Sequence, residues 1–289
     1  MPRRKSKEGF TMVEISLSIA LIAVLALAIV FIILNTIASF RRGLVLNDIN
    51  TTGMALVDDL RTSVQNSSLQ PFESDCQKVN GNRTACVSDH AAKFVMVVKK
   101  SSDFTVAGKK LNDIPIYGAF CTGKYSYIWN SGYFWAENTT KPNGVNPVKI
   151  TYLNKNGAKA TKTDFRLLKI RDDSRAVCVS AFKSNYNTNF QNTFAGAFDI
   201  TSYARVTEDP IELLDQSLAI YNLTASKPAE NTKGDNWFYN VSFILGTIKG
   251  GANIKTSGKS CSAPNDVATE AFEYCAINKF NFAVQANGD

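Results

Sequence analysis

From Ile15 to Leu34 the chain is apolar at every position except Ser16 and Ser18, and no other feature restricts its folding as strongly. A helix rising about 1.5 Å per residue makes this run roughly 30 Å long, the thickness of the hydrocarbon core of a bilayer. A cleaved secretory signal has a shorter apolar core, about 7 to 15 residues, and ends at a small-residue site. The run here is longer and continues into an amphipathic stretch. A plain signal anchor fits its length and hydropathy equally well. Arg3, Arg4, Lys5 and Lys7 precede the run and Arg41 and Arg42 follow it. The positive-inside bias therefore puts the N-terminus in the cytoplasm and the rest of the chain outside, a single pass.

The remainder has globular composition. Of 289 residues, 45% are hydrophobic and 20% charged, which suits one large or two small domains and argues against a disordered tail as the main feature. Of the net charge of +7, the first nine residues hold +3, with four cations facing Glu8 alone, and the rest of the chain is only mildly basic. Beyond them no basic stripe of the kind that binds nucleic acid is present, which disfavours that partner. Cys76, Cys86, Cys121, Cys178, Cys261 and Cys275 all follow the apolar run, as expected of a domain exported to an oxidising compartment. Six cysteines allow 15 pairings. Sequence proximity favours Cys76 with Cys86 and Cys261 with Cys275, leaving Cys121 for Cys178. No CxxC spacing occurs, and His90 is the only histidine, so neither a metal site nor another cofactor is expected.

A carboxylate at Glu14, the head of a membrane-length run, is expensive and needs a compensating partner. It closes the stretch Gly9, Phe10, Thr11, Met12, Val13, Glu14, which follows the basic leader. Here the chain resembles the type IV pilin superfamily, over its first fifth, and a basic leader, this motif and the apolar run in one order make the resemblance specific. It implies cleavage of the leader, residues 1–9, by a prepilin peptidase between Gly9 and Phe10, and N-methylation of Phe10. It also implies subunit assembly through Glu14, which would pair with the Phe10 amine of a neighbour. In a filament core each charge offsets the other's desolvation. The positive end of the helix dipole contributes about 0.3 to 1 kcal/mol more to a first-turn carboxylate. Many major pilins place Gly and Pro in the first helix, whereas this chain has neither between Phe10 and Arg42.

The resemblance further implies storage in the inner membrane, then assembly into a pilus or pseudopilus with other pilin or pseudopilin subunits, an inner-membrane assembly platform and membrane lipid as partners. The large domain after the helix is more like the large minor pilins, or the J-type pseudopilins of type II secretion, than the shorter major pilins. A disulfide-closed C-terminal loop is another feature that many pilins display.

Residues 10–40 thus read as a transmembrane and assembly helix and 41–70 as its amphipathic continuation. In the latter, Ile49, Leu56, Leu60 and Val64 recur at helical spacing among Asp48, Asp58, Asp59 and Arg61. Asn66 to Pro71 supplies the stop. From 71 to 289 the pattern becomes β: FVMVV, SYIWNSGYFWAE, VKITYL, FRLLKIRDDSRAVCVSAF, LAIYNLTAS and NWFYNVSFILGTI are rich in β-branched and aromatic residues. Tyr239, Val241, Phe243 and Leu245 fall on one face of the last, with Asn240 and Ser242 on the other. The expected fold is α+β, a long N-terminal helix packed on an antiparallel β-rich domain. Asn130, Ser131 and Gly132 read as a hairpin turn bringing Tyr125, Tyr127 and Trp129 beside Tyr133, Phe134 and Trp135. Core packing accounts for these aromatics better than an exposed binding platform. DVATEAFEYCA reads as a short helix.

Catalytic chemistry is not expected. A nucleophilic triad would have to use His90. GGANIKTSGKS misses the phosphate-loop pattern, with Asn253 where glycine is required. Asp58 with Asp59, and Asp172 with Asp173, read as solvated charge in a helix and a turn. Two functions remain: a filament subunit without enzymatic activity, or a signal-anchored surface binding or adhesion domain that does not polymerise.

Overall fold

In a computed structural model the described residues are 11–66, 95–101, 104–106, 109–111, 114–122, 124–135, 139–140, 147–172, 177, 197–199, 208–226, 237–248, 261 and 275–286. One helix, α1 (Met12–Gln65), carries both the apolar run and the amphipathic stretch. The chain divides into two compact units between Leu44 and Val45. In the first, α1 is long and apolar enough to cross a membrane, and its large side chains from Met12 to Leu44 are exposed on every face.

In the second unit, among the described residues, fourteen strands follow the end of α1. They are β1 (Val95–Ser101), β2 (Phe104–Val106), β3 (Lys109–Leu111), β4 (Ile114–Cys121), β5 (Tyr125–Asn130), β6 (Thr139–Thr140) and β7 (Lys149–Leu153). Then come β8 (Lys159–Lys162), β9 (Leu167–Arg171), β10 (Ala197–Asp199), β11 (Ile211–Glu212), β12 (Leu218–Ser226), β13 (Trp237–Thr247) and β14 (Ile277–Ala286). A five-stranded sheet runs β1-β4-β5-β9-β11, and three-stranded sheets run β12-β13-β14, β10-β7-β8 and β3-β2-β6. Every pairing is antiparallel except β10 with β7. The architecture is α+β, one long helix and a mainly antiparallel β-rich region.

The expected helix face is buried: Ile49, Leu56, Leu60 and Val64, joined by Val57, pack with Tyr127, Trp129, Leu167, Phe243 and Phe280. Gly53 sits in the middle of that face because the Phe280 ring occupies the space a Cβ would need. Phe280 in turn stacks on Phe243, with ring centroids 5.0 Å apart. Strand alternation sends Ile128, Leu168 and Ile170 to the opposite side of the five-stranded sheet, into a second core with Ile116, Ile150 and Phe165. Burial on both faces explains why YSYIWN reads as a nearly continuous apolar run. In β13 Tyr239, Val241, Phe243 and Leu245 are buried and Asn240 is exposed, as expected, but Ile244 on the second face is buried as well, so the alternation is confined to the first half of the strand.

The expected hairpin at Asn130 is corrected. Asn130 ends β5 and ties down its neighbours: its Nδ2 donates to the carbonyls of Val148 (3.2 Å) and Phe165 (3.1 Å), and its Oδ1 accepts Val148 N–H (2.7 Å). Ser131 then caps a 3-10 turn, Gly132–Phe134, so the second aromatic run is a turn and not a strand. Gly132 has no room for a Cβ against Tyr221. A register slip in β12 between Ile220 and Asn222 brings Tyr221 into the second core. There it meets Tyr133 edge-on at 4.9 Å and donates to the Thr247 carbonyl at 2.7 Å.

Candidate assembly surface of the N-terminal helix

The start of α1 is built by two residues of the leader motif. Thr11 N–H and Oγ1–H both donate to Glu14 Oε2 at 2.9 Å, and Glu14 N–H donates to Thr11 Oγ1 at 3.3 Å. This is a capping box, in which the cap residue and the third helical residue satisfy each other's donors. The T-x-x-E spacing stands in the sequence, within the same stretch that carries the pilin resemblance. Its consequence is chemical: part of the cost of Glu14 is met within its own helix, while Oε1 has no partner among the described residues. Gly9 and Phe10, the expected cleavage and methylation positions, lie outside the described residues.

The hydroxyls within the run are also satisfied locally. Ser16 Oγ donates to the Val13 carbonyl at 2.9 Å, Ser18 Oγ to Glu14 at 2.7 Å and Thr36 Oγ1 to Ile32 at 2.8 Å. The run therefore presents apolar surface with few unmet polar demands, as both a lipid-facing and a helix-facing rod require.

Within the second unit a polar cluster holds α1 to the sheet. Tyr127 Oη contacts Ser63 Oγ and donates to Asp59 Oδ2 at 2.9 Å, and Lys169 Nζ reaches Asp59 Oδ1 at 2.5 Å. Lys169 also lies over the Tyr125 ring, 4.4 Å from its centroid. Burial, reinforced by the Asp59 carboxylate, raises the Tyr127 phenol well above its ordinary range, so it stays a donor. Asp59 is thus not the solvated charge the sequence suggested, whereas Asp58 is exposed and meets Arg61 at 3.7 Å. Asp172 is likewise corrected. It is buried, and its Oδ2 accepts Ser126 Oγ–H at 2.7 Å and Val177 N–H at 3.0 Å, which stabilises the end of β9. An isolated sequence cannot reveal Ser126, Tyr127 and Lys169 as partners, since they arrive from strands far along the chain.

Cys261 and Cys275 form a disulfide, with Cα atoms 6.0 Å apart. Cys121 is disulfide-bonded too. Its expected partner Cys178, the pair Cys76 and Cys86, His90, Asp173 and GGANIKTSGKS lie outside the described residues. So does the expected helix DVATEAFEYCA up to residue 274, and Cys275 and Ala276 lead directly into β14. Tyr127, Trp129, Tyr133 and Phe134 are buried, so these aromatics form core and not a platform. Among the described residues, no group of three or more His, Cys, Asp or Glu side chains could hold a metal ion. Comparisons with protein-family models, with curated proteins and with solved structures return no match for this chain.

Proposed function

We propose that the chain is a structural subunit of a type IV pilus-like filament, a large minor pilin or a pseudopilin. It would be stored in the inner membrane with its N-terminus in the cytoplasm and built into a pilus or pseudopilus through its apolar helix. The observation that carries this reading is the first half of α1, apolar and exposed on every face and headed by a capped Glu14. Removal of residues 1–9 by a prepilin peptidase would create a cationic amine at Phe10. In a helical stack of such rods, that amine can reach the outward Glu14 oxygen of a neighbour without dismantling the cap. Other pilin or pseudopilin subunits, an inner-membrane assembly platform and lipid would be its partners, and its role structural rather than catalytic.

One observation favours the alternative, a signal-anchored surface binding domain that does not polymerise. Glu14 is hydrogen-bonded within its own helix, so part of its cost is met without a neighbour. Incorporation separates the two. In a cell that assembles such filaments, the sheared filament fraction is expected to contain the chain. Its absence there, with normal membrane insertion, would favour the anchor.

A further inference from the structure

We infer that Asn156 is a site of self-modification, deamidation through a succinimide, and that Asn154 holds it in check. The reacting groups are neighbours in the chain. The main-chain nitrogen of Gly157 can attack Asn156 Cγ because glycine places no side chain in the way. That nitrogen gives its proton to solvent base, the new N–C bond closes a ring, and the Cγ–Nδ2 bond breaks so that Nδ2 leaves as ammonia. Water then opens the ring at either carbonyl and leaves aspartate or isoaspartate. Water is consumed and ammonia released, with no oxidant or reductant.

Asn156 and Gly157 lie in the turn between β7 and β8, just beyond the pair Leu153 and Lys159, and Asn156 is exposed. The turn needs its glycine, whose φ of 78° is in the left-handed region. Asn154 supplies the restraint. Its Oδ1 accepts Asn156 N–H at 3.0 Å and Ala158 N–H at 2.9 Å. Its carbonyl accepts Gly157 N–H at 2.8 Å, and its own N–H donates to the Ala158 carbonyl at 2.9 Å. The attacking nitrogen is thus already a donor: releasing its proton costs a hydrogen bond, and bringing Asn156 Cγ over it requires the turn to open. Each completed event would put a carboxylate between Lys155 and Lys159, both exposed, and isoaspartate adds a main-chain carbon that this set of hydrogen bonds does not fit. The inference concerns the hairpin alone and is independent of the filament reading.

The test incubates the full chain in detergent at mildly alkaline pH. Conversion at Asn156 is read by peptide mass as a gain of about 1 Da, and isoaspartate by enzymatic methylation. Site-resolved peptides separate it from the other Asn-Gly pairs, at Asn80, Asn143 and Asn287, which lie outside the described residues. The folded wild type is expected to convert about tenfold more slowly than the same chain unfolded in urea, the factor that one or two net hydrogen bonds make in an opening equilibrium. Asn154→Ala is expected to recover most of that factor, and Asn154→Asp, which keeps the acceptor oxygen, to stay near the wild-type rate. Equal rates in the folded and unfolded wild type, no conversion in urea, or a folded Ala variant no faster than the wild type would overturn the inference. The wild-type comparison needs no variant, so it decides the matter should Asn154→Ala fail to fold.

Discussion

Glu14 closes a cap and, in the proposed filament, takes a second purpose that substitution can separate. Its carboxylate closes the capping box with Thr11, and in the proposed filament it also receives a neighbour's amine. Glu14→Gln retains an acceptor oxygen for the cap and loses the charge, whereas Glu14→Ala loses both. Both variants are expected to insert in the membrane. If charge pairing drives assembly, both should be strongly depleted from sheared filaments; recovery of the Gln variant at wild-type level would reduce Glu14 to a cap. Glu212 offers a pH test in the second unit. Its carboxylate accepts the main-chain N–H of Arg166 at 3.1 Å and of Leu167 at 2.8 Å. Burial raises its carboxyl above the ordinary range, against the lowering effect of those N–H groups and of Arg166 and Lys162. The folded state therefore holds this proton more tightly than the unfolded state. The resulting contribution is complete below the ordinary glutamate range and is lost as pH rises through the raised value. Glu212→Gln should accordingly be more stable than the wild type at neutral pH, with the advantage shrinking on acidification. Denaturant midpoints measured across that range check the sign, and a difference independent of pH would contradict it.

At the scale of elements, α1 depends on how closely it meets the sheet. Gly53→Ala drives a methyl into the Phe280 ring, and overpacking of this kind costs about 1 to 3 kcal/mol, more than the gain in helix propensity. Urea unfolding should show that loss, and an unchanged or raised midpoint would mean that Phe280 moves aside freely. The helix face was legible because Ile49, Leu56, Leu60 and Val64 repeat at helical spacing, a local signal that burial then obeys. LAIYNLTAS is β12 in full for a similar reason, since β-branched and apolar residues there are bounded by polar ones. The 3-10 turn after Asn130 was not legible. Its geometry depends on Val148, Phe165 and Tyr221, which reach it from later parts of the chain. Strand β14 went unread although Phe280, Phe282 and Val284 alternate with Lys279, Asn281, Ala283 and Gln285. The Thr11 cap is likewise written in the sequence as T-x-x-E.

At the scale of the molecule, one chain joins an apolar helix with exposed side chains to a β-rich unit with two buried cores and disulfides at Cys121, Cys261 and Cys275. A covered apolar rod is a requirement of water, and lipid or a stack of like helices meets it equally well. The order of the basic leader, GFTMVE and the apolar run favours a rod that uses both in turn, after processing. The most direct measurement is the mature N-terminus. The chain would be expressed with and without an active prepilin peptidase, and its first residue and intact mass determined. The filament account predicts loss of residues 1–9 and a start at N-methylated Phe10 only when the peptidase is active; an intact leader in its presence would contradict the account and leave a membrane anchor.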